Sequence, residues 1–107
     1  MIEKLENVTA VAKANIYFDG KVMSHTVYTA DGDRKTLGIF MPGDYEFGTG
    51  DAEIMDIIDG VCQVRLPDTS EYVEIKSGES FNLPGNSKFG FRCYVPVQYV
   101  CSYIPVK

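Results

Sequence analysis

Histidine, paired cysteines, basic runs and long apolar stretches are all scarce in this chain, and each shortage argues against a class of function. One histidine, His25, in 107 residues falls short of the three or so imidazoles that, with a carboxylate, hold a divalent transition metal. The three cysteines, Cys62, Cys93 and Cys101, are an odd number without CxxC spacing. Each sits in an apolar or alternating run, so reduced, buried thiols are expected in place of a disulfide or a thiolate metal site. Ten basic residues against fifteen acidic ones give a net charge of −5. With no basic run to track phosphates, the surface repels a polyanion, and nucleic acid is not an expected partner. A small anion is a different matter, because a few donors in a closed pocket outweigh a distant, screened net charge. No window approaches the ~18 consecutive apolar residues of a membrane helix. The start, "MIEKLENVTAV", mixes charges where a signal peptide needs a continuous apolar segment. A cytoplasmic protein with no membrane partner is expected.

What is present is alternation. The chain is 45% hydrophobic and 23% charged, which suits one soluble domain over 1–107. Short runs rich in β-branched and aromatic residues, "VTAVAK" (8–13), "KVMSHTVY" (21–28), "KTLGIFM" (35–41), "EIMDIID" (53–59), "CQVRL" (62–66), "YVEIK" (72–76), "SKFGFRCY" (87–94) and "VQYVCSYI" (97–104), predict strands. Between them lie "ADGD", "PGD", "DG", "PDTS", "SG" and "PGN", where Gly supplies positive φ and Pro presets a turn. So many short strands must pack as two sheets or close on themselves, since open edges invite aggregation. The fold class expected is all-β: a jelly roll or compact barrel. Alternation also assigns faces. Tyr45, Phe47 and Thr49 share one side, as do Glu53, Met55 and Ile57, and as do Ser87, Phe89 and Phe91; Tyr99, Cys101 and Tyr103 form a fourth row. If those rows face inward together they line an aromatic cavity with a few polar points, the usual composition of a small-molecule site.

The stretch "GDYEFGTGDAEIMDIIDG" (43–60) and the segment "SGESFNLPGNSKF" (77–89) have the glycine punctuation of the two cupin motifs. Aligned through Glu53, the positions of the paired cupin histidines hold Phe47 and Thr49, and the second motif's histidine position holds Phe89 or its neighbour Lys88. Phenylalanine cannot coordinate, so metal chemistry is not expected: no metal site and no cofactor. The likeness sharpens with "NIYFDGKV", "GIFMPGDYEFGT", "AEIMDIIDG", "ESFNLPGNSKFGF" and "QYVCSY", which in order resemble the small bacterial cupin-type pyrimidine/purine nucleoside phosphorylases. The resemblance runs from about Asn15 to Tyr103, with 1–14 an extension or strand preceding the family core. It implies a single cupin-like jelly-roll domain, a homodimer, and a pentosyltransferase of nucleoside salvage. The implied reaction is metal-independent phosphorolysis, with phosphate as co-substrate: ribonucleoside plus phosphate gives free base and ribose 1-phosphate, with wide tolerance of base.

Breaking a ribosyl C–N bond develops oxocarbenium-like charge, so a pocket must hold phosphate near C1′, anchor the ribose and release the base. Glu53 is the catalytic candidate, since a carboxylate accepts from two vicinal hydroxyls and favours a cationic sugar. Holding a barrel strand is its bland alternative. Tyr45, Phe47, Met55, Phe89, Phe91 and Tyr103 are candidates to enclose or stack on the base, with ordinary core packing as the competing reading for each. Thr49, Ser87 and Lys88, beside the amides of the "PGNS" turn, are candidates for phosphate; Lys21, Arg65 and Arg92 are weaker ones, as is His25 for protonating a leaving purine. Two rival readings share the barrel: a non-catalytic cupin module that binds a nucleoside-like ligand, and a structural protein with an empty barrel, which no ligand would stabilise thermally.

Overall fold

The computed structural model describes residues 2–105, and over them strand is the dominant regular structure. The strands are β1 (Thr9–Ala10), β2 (Asn15–Tyr17), β3 (Val22–Tyr28), β4 (Arg34–Phe40), β5 (Gly43–Gly48), β6 (Ala52–Asp59), β7 (Val61–Arg65), β8 (Val73–Lys76), β9 (Ser80–Leu83), β10 (Lys88–Cys93) and β11 (Val97–Ile104). A single 3₁₀ turn, Phe18–Gly20, separates β2 from β3. All pairings are antiparallel. One sheet runs β1-β3-β4-β11-β6-β9, with β2 also on β3, and the other β5-β10-β7-β8. The all-β expectation is met.

Three strands were not foreseen. β2 has three residues and β9 four, too short for alternation to stand out between their turns. β5 follows Pro42 and is bounded by Gly43 and Gly48, so its glycines read as turn chemistry. Backbone pairing with β10 overrides that, register partner by register partner, from Gly43 opposite Cys93 to Gly48 opposite Lys88. At the start, "VTAVAK" contracts to Thr9–Ala10.

The inner faces follow the period of two. Tyr45, Thr49, Met55, Ile57, Phe89, Phe91, Tyr99 and Cys101 are buried, while Phe47, Glu53, Ser87 and Tyr103 are half-buried. A one-residue slip would turn every one of these rows to solvent, so burial locks the register. At Gly38, paired with Tyr99, a Cβ would lie 2.5 Å from the Tyr99 ring; the missing side chain lets the phenol lean across β4. Gly60, at φ +92° and with Pro96 O 2.6 Å from where a Cβ would be, closes the β6–β7 turn for the same two reasons, conformation and space.

Candidate active site

Between the sheets, at the end nearest β2 and β5, the packing stops short and leaves a cavity of about 160 Å³. Buried Val22, Ser24, Phe40, Met55, Phe89, Tyr99 and Cys101 form its floor; half-buried Phe47, Glu53 and Tyr103, with exposed Tyr17 and Gly48, form its rim. Register places the walls. Phe47 faces Phe89 directly across β5 and β10, and their rings stack at 5.8 Å. Tyr103 faces Glu53, and Cys101 faces Met55, across β11 and β6.

Glu53 is the carboxylate of this cavity. Its Oε1 accepts a hydrogen bond from the Cys101 thiol at 3.5 Å, a weak donor that leaves most of the acceptor capacity open. Burial pushes the Glu53 carboxyl above the ordinary carboxylate range, against the opposing pull of the Cys101 hydrogen bond and the Arg34 charge, while Asp51 adds to the rise. The Cys101 thiol is pushed up to about 12 by burial and by the neighbouring Glu53 charge, so it is a neutral donor and not a nucleophile at neutral pH. Burial likewise raises the Tyr99 and Tyr103 hydroxyls. Tyr103 Oη shares a hydrogen bond of 3.2 Å with Thr36 Oγ1. Over the Tyr103 ring lies the Arg34 guanidinium, 3.8 Å from the centroid, with Asp51 4.0 Å from its Nη2.

A family profile described as pyrimidine/purine nucleoside phosphorylase matches residues 12–103. A protein from Hydrogenovibrio crunogenus named pyrimidine/purine nucleoside phosphorylase is 52% identical over 103 residues, covering 96% of this chain and 99% of that one. The chain belongs to the pyrimidine/purine nucleoside phosphorylase family. Among solved structures, a protein of unknown function from Acinetobacter sp. ADP1 superposes with a TM-score of 0.92 at 39% identity, covering 94% of this chain and 98% of that one. An RmlC-like cupin from Shewanella frigidimarina superposes with a TM-score of 0.69 at 13% identity, covering 89% of this chain and 85% of that one. The latter likeness concerns the fold alone: the phosphorylase-family chain is an all-β, cupin-like barrel.

Cupin barrels commonly carry a metal, and the donor set of this one does not fit it. The side chains that line the cavity with Glu53 are three phenylalanines, a valine, a serine, a methionine, phenols and a thiol held protonated by its surroundings, not the imidazoles and carboxylates that first-row metals need. Among the described residues no group of three or more His, Cys, Asp or Glu is placed to hold a metal ion.

Of the residues singled out in the sequence, Glu53, Phe47, Met55, Phe89 and Tyr103 meet at the cavity. Tyr45 and Phe91 lie deeper. Phe91 is fully buried and stacked on Phe40 at 3.9 Å, and the Tyr45 hydroxyl donates to Met41 O at 2.6 Å; both are packing. Thr49, Ser87 and Lys88 line a separate outer groove with Glu46, Arg65 and Asn86. The anion nest expected at the "PGNS" turn is already engaged: Ser87 N–H donates to Thr49 Oγ1 at 3.0 Å, Asn86 N–H to Gly50 O at 3.0 Å, and the Thr49 hydroxyl to Pro84 O at 2.8 Å. Those groups fasten the end of β5 to the turn before β10. Arg65 pairs with Glu46 at 3.3 Å, and Arg92 donates to Gln63 at 2.6 Å. Lys21 is exposed beside the 3₁₀ turn, and the ring of exposed His25 is 3.3 Å from Val11 O.

The sequence did not point to Tyr17, Val22, Ser24, Phe40 or Arg34. Val22 and Ser24 carry a usable signal, since they alternate as inward positions of β3. Phe40 sits at the end of β4 and Tyr17 in an unforeseen strand. Arg34 is the first residue of β4, and only three-dimensional pairing brings it over Tyr103.

Proposed function

We propose that the cavity is the active site of a metal-independent nucleoside phosphorylase of broad specificity, converting nucleoside and phosphate to free base and ribose 1-phosphate. The observation that carries this reading is Glu53: a desolvated carboxylate, with a single thiol as hydrogen-bond donor among the described residues, at the rim of a cavity walled by aromatic faces. The ionised carboxylate would accept from the two vicinal ribose hydroxyls and stabilise positive charge as it develops at the sugar. A phosphate oxygen would form the bond to C1′ as the C1′–N bond breaks; the bonding pair leaves with the base, which takes up a proton from solvent. At about 160 Å³ the cavity is smaller than the ~300–1,000 Å³ that encloses a whole ligand. It would therefore hold the sugar and leave the base toward Phe47 and Tyr17, whose ring faces accept purines and pyrimidines alike.

The proposal includes a cytoplasmic homodimer acting in nucleoside salvage. Met23 and Leu37 are 39% and 37% exposed on the outer face of the larger sheet, next to half-buried Ile39 and Ile58, and an apolar surface of this kind suits association with a second copy. Sedimentation at micromolar concentration showing only monomer would remove that part. For the activity, the protein is incubated with phosphate and uridine, inosine or adenosine, with and without EDTA. Base and ribose 1-phosphate are expected in each case, and EDTA is expected to change nothing. Binding of nucleosides without base release would favour the non-catalytic module instead.

A further inference from the structure

The phosphate partners anticipated at Thr49, Ser87 and Lys88 lie in an outer groove with their turn amides engaged, which leaves the sugar site without an assigned anion donor. The ends of three neighbouring strands supply one. β4 begins at Arg34, β11 carries Tyr103 near its end, and Asp51 and Glu53 flank the start of β6; β4, β11 and β6 are consecutive in the sheet. The Arg34 guanidinium carbon sits over the Tyr103 ring, 3.8 Å from the centroid; Tyr103 is the register partner of Glu53, and the Arg34 charge acts on the Glu53 carboxyl. A guanidinium held over a ring face spends none of its N–H donors on a carbonyl or carboxylate there, so they stay available to an oxyanion. Asp51, at 4.0 Å, is beyond hydrogen-bond distance, so it balances the charge without occupying those donors. The neighbouring cation, Lys35, is directed elsewhere and donates to Ser102 Oγ at 2.6 Å.

We propose that Arg34 is the phosphate-binding residue of this site, held over the Tyr103 ring so that its N–H donors meet the oxyanion beside the Glu53-bound sugar, with Asp51 as the counter-ion the phosphate displaces. The inference rests on the phosphorolysis reading for its context but is decided by phosphate itself. Asp51 keeps Arg34 from holding phosphate too tightly to exchange.

The test is steady-state kinetics with phosphate and inosine varied separately, together with calorimetric titration of inorganic phosphate into each protein. Arg34→Ala is expected to raise the KM or Kd for phosphate on the order of 10- to 100-fold, the range of a lost charge-assisted pair, with the nucleoside KM within about threefold of wild type. Arg34→Lys should recover part of the loss, because charge returns without the planar fork. Asp51→Asn should act in the opposite sense and tighten phosphate by about two- to threefold, as expected for removing an exposed competing charge. Unchanged phosphate affinity in folded Arg34→Ala, or a parallel loss for phosphate and nucleoside, overturns the assignment. If wild type releases no base, the phosphorolysis reading fails. Titration then still decides Arg34: weaker phosphate binding in Arg34→Ala supports it and equal binding overturns it.

Discussion

The interior of this barrel has two ends made of the same materials. Each has stacked phenylalanines and a buried tyrosine, with two cysteines at one end and one at the other. At the closed end the polar atoms are bonded to backbone: Tyr45 Oη to Met41 O at 2.6 Å, Cys93 Sγ to Met41 O at 3.4 Å, Cys62 Sγ to Ile75 O at 3.6 Å. At the open end they are bonded to one another: Cys101 Sγ to Glu53 at 3.5 Å and Tyr103 Oη to Thr36 Oγ1 at 3.2 Å. A backbone carbonyl is fixed by its strand and cannot be re-paired, whereas a side-chain partner can rotate away and admit a ligand's hydroxyl. Composition therefore does not distinguish core from site here. The kind of hydrogen-bond partner does.

The largest effect should come from breaking the closed end. Phe91 is fully buried against Phe40, so Phe91→Ala is expected to destabilise by about 3–5 kcal/mol, the range for deleting a core aromatic ring. Phe47 borders an existing void and is only half-buried. For Phe47→Ala the expected loss is about 1–2 kcal/mol, since less area returns to water and less new cavity forms. Denaturant melts of the pair measure this directly; equal losses would mean that the open end is packed as tightly as the closed one.

Glu53→Gln separates stability from activity at the open end. Turnover should fall on the order of 100-fold as the charge facing the developing oxocarbenium is lost. Stability should move the other way. A carboxyl whose folded pKa is raised contributes stability below its unfolded value and loses it as pH rises through the folded one. At neutral pH the charged Glu53 therefore burdens the fold, and Gln removes that burden. With solvent screening at the rim, the gain is no more than about 1 kcal/mol, a small rise in Tm that should vanish as pH falls below the carboxyl's titration. A Tm gap that persists unchanged into acid would show that the charge is not its cause.

The two cysteines sharpen the contrast at lower amplitude. The Cys101 thiol lowers the Glu53 pKa by donating to it. In Cys101→Ala that pull is absent, the carboxylate is harder to ionise, and the acid limb of the pH–rate profile should move to higher pH. Among the described residues Cys93 donates to the backbone carbonyls of Phe40 and Met41 and has no contact with Glu53, so Cys93→Ala should leave the profile in place while costing about 1 kcal/mol of packing. Profiles that shift together would erase the distinction between the ends.

Much of the fold was legible because inward rows repeat every second residue, and burial permits only one register. The Tyr45, Met55, Phe89 and Cys101 rows are read correctly for that reason, and so is Glu53 on an inward face. Two things were not legible. Whether an inward aromatic fills space, as Phe91 does, or borders a void, as Phe89 does, depends on where opposing side chains run out, which alternation does not encode. Long-range pairing was also hidden: Arg34 reaches Tyr103, 69 positions along the numbering, only because β4 and β11 are neighbours. Thr49 and Ser87 misled because their hydroxyls look free in a sequence, whereas in the barrel they satisfy the turn that joins β9 to β10.

The smallest expected effect tests the residue that touches both ends. Phe18 sits in a turn where it and Asp19 both adopt positive φ, 52° and 56°, a conformation that non-glycine residues hold only when their surroundings enforce it. Its ring packs on Tyr45 at 5.0 Å, on the closed side, and on Phe47 at 5.2 Å, on the open side. Phe18 as a whole is 45% exposed, so burial alone is a weak reason to hold the turn. The enforcing contacts are these two aromatic pairs, worth about 0.5–1.5 kcal/mol each before the strain is subtracted. Phe18→Ala should therefore cost about 1 kcal/mol in a melt. It should also raise the nucleoside KM by about two- to fivefold, because the adjacent Tyr17 at the cavity rim loses its anchor. A stability loss with unchanged KM would assign Phe18 to the closed end alone, and the boundary between the two ends would then run through Phe47.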